Sequence, residues 1–523
     1  VDAALIDRLR GDLDAADYRA DTVASLLGDG AESARLRGVF APARRLRERE
    51  TLAERRPLAA LIRILLLGEA LSEGCVERAL PRLGAAGAIE LGLLAPDRTG
   101  ALRAALSLNP VEIADASSQH PRRWWILSDL DDQLRLGPAR PDHVMGVGGA
   151  TRSLIGQAPL HRLAGESGDA SLDLGTGCGI VALHLAAAGS ARVVATDISE
   201  RALTLARANA RLNGLADRID FRHGDLFAPV AEERFALILS NPPFVISPRG
   251  SEAPVYEYRD GGVAGDGLAE RVVREAPARL GEGGEFLCLA NWESHWGVNG
   301  LERVRAWIAA AAEEAGPLDA WVIERDRVDP ARYAETWARD GGARPGSEDF
   351  DALMNAWLAD FALRRTVAVG LGSVRVRRAE AWRERGVVHV EQAAGAYWSA
   401  EAPGRALSGA CDAGIAAALM SDAEALAARW LLDPAVSEER THRPGEEAPR
   451  AITLGTDRPI ARRVTADPLL AAAIGACDGE LTLAQIADAL ATLLEVDPGA
   501  AAEALVASAR ELAWFGMLVP AVG

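Results

Sequence analysis

Between residues 170 and 325 short apolar segments alternate with amphipathic stretches of helical length, and that rhythm leaves few architectures open. Candidate strands fall at 170–174, 192–196, 219–222, 235–240, 284–290 and 319–325, with helices at 179–188, 199–213, 266–280 and 299–314. Strands that are apolar throughout must be covered on both faces, and helices interposed between them supply the cover. The expected fold class is α/β, with a doubly wound, Rossmann-like parallel sheet. A later pair, Arg364–Arg377 and Val387–Glu391, reads as an antiparallel hairpin at the sheet edge. Residues 331–362 read as a helical insertion whose Trp337, Phe350, Trp357 and Phe361 serve as core.

At 523 residues the chain exceeds what one core usually supports, so further domains are expected. Residues 1–100 read as mainly helical, with periodicity at Tyr18–Leu27, Pro57–Leu67 and Cys75–Leu80 and a short strand at Ala88–Leu93. Residues 101–140 read as a small strand-rich connector, with strands at Ala101–Leu108, Val111–Ala114 and Trp124–Ser128, where Trp124 and Trp125 serve packing. The α/β domain is expected over 141–395, an accessory segment over 396–463 with a linker at Ser437–Pro449, and a last module over 464–523. In that module Thr482 and Gln485 form a capping-box pattern opening a helix through Leu493. Both ends weakly resemble winged-helix units, which serve protein contacts as often as DNA contacts.

A formal charge of −18 argues against a general nucleic-acid binder, since phosphate contacts need clustered cations. One stretch runs the other way: eight arginines against three glutamates between Arg35 and Arg56, read first as a solvated face with Arg–Glu pairing and second as a docking patch. Five scattered cysteines with no Cys/His ligand spacing point to a reducing, cytoplasmic setting without a metal site. No apolar run of membrane-spanning length occurs, and the first residues lack the apolar stretch of a signal peptide.

The chemistry-bearing residues cluster at strand ends. After strand 170–174, Gly175, Thr176, Gly177 and Gly179 form a turn that lets a ligand approach the backbone, while Asp173 is placed to orient an amine. Asp197, followed by Ile198, ends the second strand, where a carboxylate can accept from both hydroxyls of a ribose. Asp225 follows the third strand and can accept from an adenine amine, with Leu226 against the ring. After the fourth strand comes Asn241-Pro242-Pro243-Phe244. Here the Asn241 side-chain oxygen and the Pro242 carbonyl can accept both hydrogens of an NH2 group, and Phe244 can stack on a planar group. Tyr258, Arg259 and Asp260 are substrate-contact candidates on a glycine-rich loop, with Asp266 as cap of the next helix. His143 reads as structural, and Asn291-Trp292 as bordering the pocket.

The runs Asp173–Ile180, Ala195–Ser199, Ala208–Gly214 and Asn241–Phe244, in this order and spacing, resemble class I S-adenosylmethionine-dependent methyltransferases. The likeness is to the branch holding the release-factor glutamine and ribosomal RNA guanine-N2 methyltransferases, and covers roughly 141–378. The resemblance implies a seven-stranded sheet, S-adenosylmethionine as cofactor and methyl transfer to a planar nitrogen. Segment His143–Leu154 departs from the Arg-Pro-Glu-Thr form of the glutamine enzymes, which leaves the acceptor open. A protein or small-molecule amide or amine is the leading reading. An exocyclic amine of rRNA or tRNA is the alternative, and a non-catalytic cofactor-binding regulator the third. Oligomeric state is not legible.

Overall fold

The computed structural model describes residues 2–46, 56–135, 140–163, 170–249, 262–398 and 401–521. Its centre is an eight-stranded sheet, one strand more than the seven expected, whose strands we number β1 (Ala170–Leu174), β2 (Arg192–Asp197), β3 (Ile219–His223), β4 (Phe235–Ser240), β5 (Leu280–His295), β6 (Leu318–Val328), β7 (Thr366–Arg378) and β8 (Val388–Gln392). The order across the sheet is β3-β2-β1-β4-β5-β7-β6-β8. Strands β1 to β5 are mutually parallel, and β7 runs antiparallel to both β5 and β6. Helices α1 (Ile180–Ala187), α2 (Glu200–Leu212), α3 (Gly267–Glu275) and α4 (Gly300–Ala315) complete the crossovers. Val181, Leu185 and Leu205 belong to a core on one face, and Val272, Val304 and Trp307 to a core on the other, so the sheet is doubly wound.

The sequence places the first six strands and the four helices of this domain, although β5 runs over Leu280–His295 where 284–290 is expected. The late strands need correction. Arg364–Arg377 and Val387–Glu391 do not pair with each other. Strand β7 inserts between β5 and β6, while β8 joins the far side of β6 in parallel, so the antiparallel pair is β6 with β7. Pattern alone could not decide this, because the residues between β6 and β7 fold into helices Pro330–Asp340 and Glu348–Arg364 and conceal the pairing. That insertion buries Phe350, Trp357 and Phe361 as expected, and Tyr333 with them.

Before the sheet lies a helical region, Ala3–Ala15 to Gly84–Glu90, closed by strands Leu94–Pro96 and Leu102–Ala104. The short strand expected at Ala88–Leu93 is instead the end of helix Gly84–Glu90 and its following turn. Its apolar residues are spaced to bury Ala85 and Ala88 on one side. Strands Leu106–Ile113 and Arg122–Asp129 form a two-stranded ladder; the former runs through Pro110, replacing the two strands expected there. Asn209 on α2 and Asn213, the residue that caps its end, dock that ladder. The Asn209 oxygen accepts from Leu127 N at 2.7 Å and its amide donates to Leu127 O at 2.9 Å, while Asn213 repeats the pair at Trp125. Side-chain amides thus stand in for a neighbouring strand. Trp124 is buried as expected, with Nε1 donating to His184 Nε2 at 2.9 Å.

The C-terminal region carries its own helices and strands over 401–521. Helix Gly404–Leu419 packs on Pro498–Trp514, and the expected linker at Ser437–Pro449 contributes strand Ser437–Thr441 to a three-stranded sheet. Ser437–Thr441 is polar throughout, with no apolar alternation to mark it, because the strand is exposed on both faces. The Thr482–Gln485 capping box opens helix Leu483–Leu494. Trp514, 5.6 Å from Trp321, helps cover the β6/β8 edge, which protects an otherwise open sheet border.

Candidate functional site

Register brings the motifs together. Leu174 pairs with both Thr196 and Ser240, so Gly175, Asp197 and Asn241 follow the carboxyl ends of three adjacent strands spaced about 4.8 Å apart. In such sheets ligands bind at this edge, where the strand order reverses; here the reversal lies between β1 and β4.

The glycine-rich turn is held open from beneath. Gly175 and Thr176 donate backbone N–H groups to Thr196 O, each at 2.9 Å, and Gly177 N donates to Asp197 Oδ2 at 2.9 Å. Gly175 and Gly177 have φ of 76° and 53°, and a Cβ on either would meet nothing within 4 Å. Glycine is required there for the backbone angle, and the space above it is free for a ligand. Gly179 shares the left-handed angle, with φ of 86°, and serves packing as well. A Cβ there would come to 3.0 Å from Ala206 Cβ, so the glycine permits close approach of α1 to α2.

Asp173 is buried, and Oδ2 accepts from Thr176 Oγ1 at 2.6 Å and Ala182 N at 2.9 Å. Burial pushes its pKa up to about 7, against the pull of those two bonds. Asp197 is also raised, by burial, although its two oxygens accept from Gly177 N and Ser199 N. Each oxygen retains a further lone pair, so a diol remains within its capacity. Ile198 beside it is 60% exposed, an apolar wall without a cover. Asp225 is half-exposed, and Arg271 of α3 donates to its Oδ2 at 2.8 Å. Arg271 was not evident from the sequence, since no spacing links it to β3. Leu226 takes a φ of 44°, a left-handed turn that a leucine adopts only where its surroundings impose it.

Asn241 has the most informative environment. Its Nδ2 donates to Thr151 Oγ1 at 3.1 Å, while its Oδ1 is buried without a hydrogen-bond partner among the described residues. Pro242 is buried behind it, and Pro243 is half-buried. Phe244 meets Trp337 edge-on at 6.4 Å, at the border of the insertion cluster. Tyr333 fixes the chain just beyond, its hydroxyl accepting from Ile246 N at 3.0 Å and Asn291 Nδ2 at 2.9 Å.

Other candidates lie elsewhere. Asn291 and Trp292 are buried, and Trp292 Nε1 donates to Glu324 at 2.8 Å, so this pair supports the site from behind and does not border it. Asp266 does not cap α3 through its side chain; it grips the Arg303 guanidinium and accepts from Glu293 N. Tyr258, Arg259 and Asp260 lie outside the described residues. His143 is buried beside Asp129, as a structural role requires. Arg35 pairs with Glu32 in a largely buried contact, not on a solvated face, and residues 47–55 of the Arg35–Arg56 stretch lie outside the described residues. Among the described residues no group of His, Cys, Asp or Glu could hold a metal, and no helix is long and apolar enough to cross a membrane.

The reversal point, the open glycine turn, the acidic strand ends and the unpartnered amide oxygen together fit a nucleoside-bearing cofactor next to a nitrogen acceptor. Residues 151–304 match the methyltransferase small domain family, and this part of the chain is a class I methyltransferase domain whose cofactor is S-adenosylmethionine. Residues 15–105 match a separate domain of unknown function, DUF7059. A ribosomal protein uL3 glutamine methyltransferase of Bradyrhizobium diazoefficiens is 40% identical over 126 residues, 22% of this chain and 39% of that one. A release factor glutamine methyltransferase of Xylella fastidiosa is 36% identical over 189 residues, 35% of this chain and 66% of that one. The chain thus spans between about two fifths and two thirds of the length of these relatives.

Proposed function

We propose that this protein transfers a methyl group from S-adenosylmethionine to the side-chain amide nitrogen of a protein. The observation that carries the reading is Asn241 Oδ1, a buried acceptor without a donor among the described residues. An unsatisfied buried acceptor costs about 1–3 kcal/mol, a cost that an acceptor N–H would offset. In this reading Asp173 orients the methionine amine, Asp197 accepts from the ribose, and Asp225, Ile198 and Leu226 flank the adenine, above the turn at Gly175 to Gly179. The bound cofactor supplies an electrophilic methyl carbon.

The chain's own work is placement. Asn241 Oδ1 and the Pro242 carbonyl take the two N–H groups, which fixes rotation about the C–N bond and leaves the nitrogen lone pair facing the methyl carbon. As positive charge grows on that nitrogen, the same two oxygens stabilise it better than they did the neutral amide. Phe244, braced by Trp337, packs on the amide plane. Tyr258, Arg259 and Asp260 are proposed contacts to the rest of the substrate, and the ends of the chain are proposed winged-helix-like modules for protein contacts. Two relatives named for glutamine methylation of proteins support an amide over an amine.

The test supplies labelled S-adenosylmethionine to cell extract resolved into protein, RNA and small molecules. Label is expected in protein and is expected to vanish with Asn241→Ala, while cofactor affinity stays within about threefold, since the side chain acts on the acceptor. Label in RNA or small molecules would overturn the acceptor class.

A further inference from the structure

We infer that helix Gly149–Gln157 is a positioning element that sets the Asn241 amide and is itself held by both ends of the chain; this rests on Asn241 binding the acceptor. An asparagine amide presents a donor on one side and an acceptor on the other, and a half-turn about its last torsion exchanges them. Thr151, in the first turn of the helix, takes Nδ2 at 3.1 Å and so places Oδ1 in the position where it lacks a partner among the described residues. Losing the hydroxyl would leave the amide free to exchange its ends. Presenting NH2 to an acceptor NH2 sets donors against donors.

The rest of the helix explains how Thr151 is kept in place. Arg152 Nη1 donates to Glu112 O at 2.8 Å, tying the first turn to the N-terminal ladder. At the far end Gln157 is buried and triply bound. Its carbonyl accepts from Arg375 of β7 at 2.8 Å, its Oε1 accepts from the Tyr397 hydroxyl at 2.9 Å, and its Nε2 donates to Ser153 at 2.8 Å. Tyr397 is bridged to Ile460 in the C-terminal region and lies under the Arg325 guanidinium at 4.2 Å. Gly404 packs so tightly on the residue after the helix that a Cβ would sit 2.3 Å from Ala158 O. Six residues of helix separate Thr151 from Gln157, about 9 Å of stiff rod. A shift of the C-terminal region at Tyr397 therefore reaches Asn241 as a shift of Thr151. The terminal regions are part of the transfer geometry, although neither supplies a group to the reacting atoms.

The experiment compares the full chain with Thr151→Val, Thr151→Ser, Tyr397→Phe and Asn241→Ala. Three quantities are read: label incorporated into extract protein, affinity for S-adenosylhomocysteine by calorimetry, and the Asn241 side chain in crystals grown with S-adenosylhomocysteine. Misplacement by about 1 Å costs on the order of 100-fold, so Thr151→Val should lose ~30- to 100-fold in rate, Tyr397→Phe ~3- to 10-fold, and Thr151→Ser less than about threefold. S-adenosylhomocysteine affinity should hold within about twofold in all of them. Thr151→Val at full rate beside a dead Asn241→Ala overturns the inference and leaves the acceptor reading standing; an active Asn241→Ala overturns that reading. A loss of S-adenosylhomocysteine affinity matching the loss of rate also overturns it, because the helix would then be supporting the cofactor pocket. So would crystals showing Asn241 Oδ1 turned to Thr151 in the unaltered protein.

Discussion

Asp173 is the residue whose chemistry is most open to measurement. Its two hydrogen bonds converge on one oxygen, and burial pushes its pKa up to about 7. The folded state therefore holds this proton more tightly than the unfolded chain, whose Asp titrates near 4. Its contribution to stability declines as pH rises from about 4 to about 7 and is constant above. An ammonium placed beside the carboxyl would favour the ionised form. Binding of S-adenosylmethionine at about pH 6.5 is accordingly expected to release a fraction of a proton, seen as a dependence of binding enthalpy on buffer ionisation heat. Asp173→Asn should abolish that dependence. Buffer-independent enthalpy in the unaltered protein would place the amine elsewhere.

At the scale of elements, the docking of strand Arg122–Asp129 onto α1 and α2 is the joint to test. Trp124 is only a donor, so His184 must accept at Nε2 and carry its proton on Nδ1, facing Asp115 Oδ2 at 2.7 Å. The imidazole is thus neutral, and burial lowers its pKa against the pull of Asp115. Stability from this joint is present above the ordinary histidine pKa of about 6.5 and is lost as pH falls below it, when the unfolded chain takes up the proton. His184→Ala leaves Trp124 Nε1 and the Asp115 carboxylate short of a buried partner and should cost about 2–4 kcal/mol in urea denaturation. It should also flatten the acid side of the stability profile between about pH 5 and 6.5. Asn209→Ala removes bonds to Leu127 N, Leu127 O and Cys178 O, and an equal or larger loss is expected, with a change in tryptophan emission from Trp124 and Trp125. An unchanged emission spectrum would mean that the ladder is held by its apolar face alone.

For the whole molecule, the relevant fact is that one apolar cluster runs from Leu5 through Trp124 and α1 to Leu287. The N-terminal helices and the sheet share a core and should unfold together. On the other side, Glu285 pairs with Arg375 and Arg162, and Arg162 and Arg377 both reach Asp412 of the C-terminal region. Hydrogen exchange should show α1, β1 and helix Ala3–Ala15 losing protection in one cooperative step. A helix Ala3–Ala15 that exchanges well before β1 would mean the shared cluster does not couple them. Edge strand β8, whose His389 stacks on Trp514 at 4.5 Å, is expected to open with the C-terminal region and not with the sheet centre.

Sequence alone determined the strand–helix alternation and the residues at the strand ends, because each depends on local spacing: apolar runs, glycines at special backbone angles, and a tetrad directly after β4. The expected positions of Asp173, Gly175, Asp197 and Asn241 therefore converge. Tertiary structure alone decided the partners of β7 and β8, since strand pairing is a long-range choice hidden behind an inserted helical pair. It alone decided that Asp266 binds Arg303, that Trp292 lies behind the site, and that Arg271 meets Asp225. Thr151 belongs to the same group. A threonine some ninety residues before Asn241 carries no local mark of its role. The hydroxyl becomes meaningful only when the fold sets it against one end of an amide and leaves the other end without a partner among the described residues.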